Sequence, residues 1–202
     1  MRARIKTNRL ILRPFELSDA EAAFEWLGDP VVMRLTPRGP DGSIEKTQTR
    51  LAGFINHQKA HGFSKWLISD RDSGVAMGDS GLLVLQDYGW IDLGFRFAQQ
   101  YWGKGFATEA ASAWVRAAFD DFHLRRLGAF VHPENVASIR VLEKVGFRRE
   151  RYETVMGMDS IVFSLDVSGS VSLPYLSDDD KLIIATLVHS NTAGSGIAEQ
   201  DE

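Results

Sequence analysis

Hydrophobic and polar positions divide this chain into short alternating runs and longer stretches with helical spacing. Residues 9–15 (RLILRPF) alternate and are stopped by Pro14, which predicts a first strand. Ser18 and Glu21 stand at the spacing of a capping box, so a helix is expected from Asp19 to about Leu27, ended by Gly28 and Pro30. Ser43 is placed to cap a second helix through Leu51, Phe54, Ile55 and Gln58, which Gly62 stops. Three strands are expected next, at 64–69, 75–85 and 90–97, with hairpin turns at 70–74 and 86–89.

Ala107, Ala110, Trp114, Ala118 and Phe122 recur every three or four residues and predict a third, amphipathic helix. Residues 126–131 read as a strand. A short helix over 136–145 follows, with Asn135 as its N-cap and Gly146 as its left-handed C-cap. Residues 152–155 and 160–167 suggest a closing hairpin around Gly157. A strand meander followed by strand, helix, strand, helix and strand predicts an α+β fold, a mixed α/β sheet flanked by about four helices rather than a doubly wound one.

Length and composition narrow the possibilities. The chain has 202 residues, enough for one domain or one domain with an appendage, and no cysteine, which excludes disulfide scaffolds, thiolate metal sites and cysteine nucleophiles. The net charge of −4 is uneven. Residues 168–202 carry six Asp or Glu side chains against Lys181 alone, so the body is near neutral, which argues against nucleic-acid binding. No apolar run approaches a membrane span, nothing directs export, and a cytoplasmic, membrane-free protein is expected. The five histidines lack metal-ligand spacing; His57 and His61 share a helix face and are expected to be solvated, and no metal is expected.

Within the acidic extension, residues 177–180 read as a cap with acids in the first turn. Leu182, Ile183, Ile184, Leu187 and Val188 would follow on a helix or a strand, and residues 190–202 are expected to be disordered. The apolar segment 173–188 must pack on its own domain or on a second copy; a homodimer is the preferred expectation.

The most informative stretch is residues 100–110 (QYWGKGFATEA), where a strand runs into a helix through two glycines one residue apart. Such a turn brings backbone close to a ligand and aims free amides and the helix dipole at an anion, although on its own it also suits a plain tight turn. A P-loop requires Gly-Lys-Ser/Thr, and here Gly105 is followed by Phe106 and Ala107; a dinucleotide fingerprint requires a third glycine where Thr108 stands.

Residues 100–110 resemble the acyl-CoA signature of the GNAT superfamily of N-acetyltransferases. Residues 7–15 (TNRLILRPF) resemble the first strand of the branch that contains the ribosomal-protein N-terminal acetyltransferases, and residues 135–147 (NVASIRVLEKVGF) resemble that branch's second signature. The resemblance spans about residues 7–166, giving an acetyltransferase domain at 1–167 and an extension at 168–202. It implies a sheet splayed at a bulge and acetyl-CoA as cosubstrate. The pyrophosphate would be held by the amides of Gly103, Lys104, Gly105, Phe106, Ala107 and Thr108, and pantetheine by the backbone of Phe95, Arg96 and Phe97 and by Asn135.

Acetyl transfer to an amine requires a neutral nitrogen, a polarised thioester carbonyl and a stabilised thiolate. Asp92 lies where many relatives carry Glu. Strand parity puts it with Trp90, Gly94 and Arg96, opposite the apolar set Ile91, Leu93, Phe95 and Phe97. It is either a base, acting directly or through water, or a surface carboxylate paired with Arg96. Many relatives supply a tyrosine seven residues after the Asn, but Leu142 stands there, so a tyrosine acid at that position is excluded. Ser138 is the branch's alternative, hydrogen bonding to the leaving thiolate, unless it bonds only to backbone. The resemblance thus implies acetyl transfer to a primary amine, foremost a protein or peptide N-terminal α-amine. A small-molecule acceptor such as a polyamine, amino acid or antibiotic, and a non-catalytic CoA-binding sensor or assembly module, are the alternatives. The acceptor is expected against residues 36–42 and the helix after them.

Overall fold

The computed structural model describes residues 4–166; the readings of segments 173–188 and 190–202, and the homodimer contact assigned to the first, lie outside them. The strands are β1 (Ile5–Lys6), β2 (Leu10–Pro14), β3 (Lys65–Asp70), β4 (Ala76–Leu85), β5 (Trp90–Phe97), β6 (Arg126–Val131), β7 (Arg148–Val155) and β8 (Met158–Asp166). The helices are α1 (Ala20–Leu27), α2 (Pro30–Met33), α3 (Ile44–His61), α4 (Phe106–Arg116) and α5 (Val136–Lys144). The eight strands form one sheet in the order β1-β2-β3-β4-β5-β6-β8-β7, antiparallel throughout except for the parallel pair β5 and β6.

Each face of the sheet is covered by helices whose apolar stripes the sequence displays. On one face α1 and α3 pack Trp26, Leu27 and Leu51 over Phe15 and Leu67. On the other, the alanine-rich side of α4 (Ala110, Ala111, Ala113) lets the helix lie close to the strands, and Trp114 stacks edge-on against Trp66 at 4.9 Å. The parity expected for β5 holds: Ile91, Leu93 and Phe97 are buried in the α4 core, and Phe95 packs partly against it.

Three local readings are corrected. The capping interaction at the first helix is shifted: Asp19, also bound by Arg13, accepts the Glu16 N–H at 2.8 Å, and Ser18 lies within the preceding 3₁₀ turn. Pro30 opens α2 instead of only ending α1, because Asp29 Oδ1 accepts the Val31 N–H and proline at the first helical position needs no donor. The third helix does not reach Phe122 as regular α-helix; its last turn, Ala117–Asp121, is widened, with the Phe122 N–H bonded to Ala117 O at 3.0 Å.

Two features of this frame shape the cavity described next. Beyond Asp92, which pairs with Gly128, no register joins β5 to β6, so the sheet opens there while β5 stays in continuous register with β4. The opening is flanked by a buried staple. Asp79, fully buried on β4, takes Arg96 Nη2 at 2.8 Å and Arg96 Nε at 3.0 Å, and accepts the Trp26 indole N–H at 2.7 Å. Removing Asp79 or Arg96 leaves the other charge uncompensated, at a cost of about 3–5 kcal/mol.

Candidate active site

The loop between β5 and α4 has the conformation that the glycine pair foretells. Gly103 and Gly105 have φ of 73° and 80°, the left-handed region, and Gly105 caps α4 with no side-chain acceptor. The first amide of the helix to find a backbone carbonyl is that of Glu109, bonded to Gly105 O at 3.1 Å. The amides from Gly103 to Thr108 therefore present the unsatisfied donors of a helix start, at its positive dipole end. This fits a pyrophosphate. A Cβ on Gly103 would meet nothing within 4 Å, so the approach from solvent is open.

The N-terminal segment holds this loop. Glu109 Oε1 accepts the Thr7 hydroxyl at 2.6 Å and the Arg9 N–H at 2.9 Å, while Oε2 takes Arg9 Nε at 2.7 Å. Arg9 also donates to Lys104 O at 3.0 Å and lies over the Phe106 ring at 4.3 Å. Two of the stretches singled out in the sequence thus meet across the fold.

Next to the opening between β5 and β6 is a cavity of about 570 Å³, walled by residues 35–38, α3, the ends of β4 and β6, α5 and the β7–β8 turn. Asp92 lines it and is 7% exposed, so it is not a surface carboxylate, and the expected alternative partner Arg96 is taken by Asp79. Its neighbour is instead Lys65, whose Nζ stands 4.0 Å from Asp92 Oδ2 and donates to Gly81 O at 2.9 Å. Gly94 leaves the space this ammonium occupies: a Cβ there would collide with Nζ. Burial pushes the Asp92 carboxyl up to about 6, against the pull of Lys65, the Phe130 N–H and Arg96. Burial likewise pushes Lys65 down to about 8, against the pull of Asp92. Asp92 Oδ1 is buried without a hydrogen-bond partner. A carboxylate near neutrality with a free oxygen in a cavity is equipped to take a proton.

Asn135 and Ser138 line the same cavity at the start of α5. Asn135 Oδ1 accepts the Ser138 N–H at 3.1 Å, so the asparagine is an N-cap whose carboxamide also borders the cavity. Leu142 is buried and lines the wall. Phe95 and Arg96 line the cavity, whereas the Phe97 carbonyl is occupied by the Trp102 indole N–H at 2.7 Å.

The histidine expectation is overturned. His57 turns inward and bridges two backbone groups: Nε2 accepts the Val84 N–H at 3.0 Å and Nδ1 faces Phe63 O at 2.9 Å. Only the tautomer protonated at Nδ1 satisfies both. Val84 needs this acceptor because β4 continues past β3, whose pairing ends at Lys65 and Gly81. Burial, reinforced by His61 with its ring 4.4 Å away, pushes His57 down to about 4. His61 is also buried, at 8% exposure. Lys65 and His57 were not legible as site residues: a lysine at a strand start and a histidine on a helix look solvated until register turns them inward. The one available signal was the pair Gly81 and Gly94, aligned across β4 and β5 only once pairing is known.

Among the described residues, no group of three or more His, Asp or Glu could hold a metal ion, and no helix is long and apolar enough to cross a membrane. Residues 9–148 match the acetyltransferase (GNAT) domain. The chain is 32% identical over 148 residues to the N-acetyltransferase YnaD of Bacillus subtilis (strain 168), itself described as uncharacterized, covering 73% of this chain and 84% of that one. A GNAT-family acetyltransferase from Bacillus anthracis superposes with a TM-score of 0.71 at 28% identity, covering 81% of this chain and 98% of that one. The ribosomal-protein-S5-alanine acetyltransferase from Vibrio fischeri shares the fold, with a TM-score of 0.68 at 18% identity over 82% of this chain and 97% of its own. With an anion-ready glycine turn, a sheet parted beside it and these matches along most of its length, the chain belongs to the GNAT family of N-acetyltransferases.

Proposed function

We propose that this enzyme transfers the acetyl group of acetyl-CoA to an N-terminal α-amine of a protein or peptide, with Asp92 as the base. The observation that carries the reading is the buried Asp92 carboxylate, with one unpartnered oxygen, beside the opening between β5 and β6. The amides of residues 103–108 would hold the pyrophosphate, and the open edge of β5 at Phe95 and the Phe97 N–H, with Asn135, the pantetheine arm; the Arg96 backbone is turned toward β4. Acetyl-CoA supplies the acetyl group as an activated thioester. In the transfer, the amine nitrogen bonds to the carbonyl carbon as the C–S bond breaks, the amine proton passes to Asp92 directly or through water, and the thiolate is met by the Ser138 hydroxyl. An α-amine titrates near 8 and a lysine near 10.4, so a base of pKa about 6 serves the α-amine better at neutral pH. The ribosomal-protein acetyltransferase fold neighbour is consistent with a protein N-terminus as acceptor.

The test is thiol release from acetyl-CoA with peptides, polyamines and amino acids as acceptors, in wild type and Asp92→Asn. Peptide-dependent release that Asp92→Asn loses most between about pH 6 and 8, where Asp92 is ionised and the α-amine is still largely protonated, supports the proposal. CoA binding without release on any amine would leave only a CoA-binding module.

A further inference from the structure

Taking the cavity as the acceptor site of the proposed transferase, we infer that its acceptor carries a carboxylate or equivalent anionic group together with its amine, bound by Arg38 and Lys46 in the outer wall. The argument is a balance of charge among the side chains that line the cavity. Arg50 is neutralised by Asp41, at 2.6 Å, and Arg96 by Asp79, at 2.8 Å. Lys65 faces Asp92 at the floor. Arg38 and Lys46 then stand in surplus: both line the cavity, both are exposed, and among the described residues neither side chain has a carboxylate partner. Glu45, beside Lys46, bonds back to Ser43 and does not line the cavity. Lys46 also sits in the first turn of α3, whose dipole has the same sign.

The CoA phosphates do not account for this surplus, because the glycine turn that suits them, residues 103–108, is not part of the cavity lining. Inside, Asp92 Oδ1 is left for the amine, while Lys65 uses one of its three donors on Gly81 O. Atoms next to the reacting nitrogen therefore meet an ammonium, which favours a carbonyl or carboxylate oxygen there and opposes a second amine. An amine at the floor and an anion at the mouth describe an acidic amino acid or a peptide with an acidic residue near its N-terminus. They do not describe a polyamine or an aminocyclitol polycation, whose further charges would enter a wall of like sign.

The experiment measures acetyl-CoA-dependent thiol release by the full chain on matched acceptors: glutamic acid α-amide against glutamine α-amide, Ser-Glu against Ser-Gln peptide amides, and spermidine. The acidic member of each pair should show kcat/KM higher by about fivefold or more at low salt, the value of one exposed charge pair near 1 kcal/mol, and the preference should shrink at high salt. Arg38→Gln/Lys46→Gln should raise KM for the acidic acceptors until the preference disappears. Acetylation with equal or better use of the neutral member or of spermidine would overturn this inference and leave the transferase reading standing. Acetyl-CoA binding without acetylation of any amine would overturn both.

Discussion

Replacing Lys65 by methionine keeps an unbranched side chain of similar length in the space above Gly94 and removes the charge that faces Asp92. Both groups are buried, at 6% and 7% exposure, and their charged atoms are 4.0 Å apart. At an effective dielectric of about 20, that separation corresponds to an attraction of about 4 kcal/mol, or about 3 pH units at 1.36 kcal/mol each. Burial already holds Asp92 at about 6 with the lysine present, so its loss should move the acid limb of activity upward by about 2 to 3 units. At pH 7 the ionised share of Asp92 would fall from about nine-tenths to about one-tenth or less, and kcat/KM should drop by about ten- to a hundredfold. The loss should be largely recovered above pH 9, where Asp92 ionises without its partner. The assay is kcat/KM for a peptide acceptor from pH 5 to 10, with a carboxyl-carbon NMR titration of Asp92 in both proteins as the direct reading. The α-amine contributes the same limb to both profiles and cancels in their ratio. A folded Lys65→Met enzyme with an unmoved acid limb, or with equal loss at every pH, would refute the electrostatic role.

At the glycine turn, Gly105→Val forces a β-branched residue to a φ of 80° and obstructs close backbone approach; acetyl-CoA affinity should fall at least about tenfold by calorimetry, and unchanged affinity in a folded variant would remove the pyrophosphate assignment. Ser138→Ala should slow single-turnover acetyl transfer by about 2 to 4 kcal/mol of transition-state stabilisation while acetyl-CoA affinity stays near wild type; a wild-type rate would make Ser138 structural. His57 is held at about 4 in the fold against 6.5 in the unfolded chain, so the unfolded state binds more protons between those values. Its contribution is complete above pH 6.5 and is lost as pH falls through about 4, amounting to about 3 kcal/mol. Urea unfolding of wild type and His57→Gln over that window should diverge by this amount, and parallel curves would contradict the burial of a neutral His57.

Elements whose signals are local were legible in the chain. Strand alternation placed β2 through β6 within a residue or two, and Asn135 and Gly62 were read correctly as the residues bounding α5 and α3, because caps and turns depend on a few neighbouring residues. The glycine turn was readable for the same reason: the left-handed φ values at Gly103 and Gly105 belong to the residues themselves. The parity of β5 assigned Asp92 to the correct face, since period-2 alternation survives folding. What parity could not supply was depth. Asp92 lies at the floor of a cavity only because α3 and residues 35–38 roof that face, and Lys65 reaches it only because β3, β4 and β5 align Gly81 with Gly94. His57 looked solvated because nothing in its helix reveals that β4 outruns β3 and leaves the Val84 N–H in want of an acceptor. The cap lies at Asp19, which takes Arg13 as well as the Glu16 N–H, instead of at Ser18 and Glu21, and Glu109 gained its partners from residues a hundred positions away. Pattern along a chain records which groups prefer water and which do not. Which charges share a low-dielectric space, and so which of them change their proton affinity, depends on distances between strands and helices that exist only after packing.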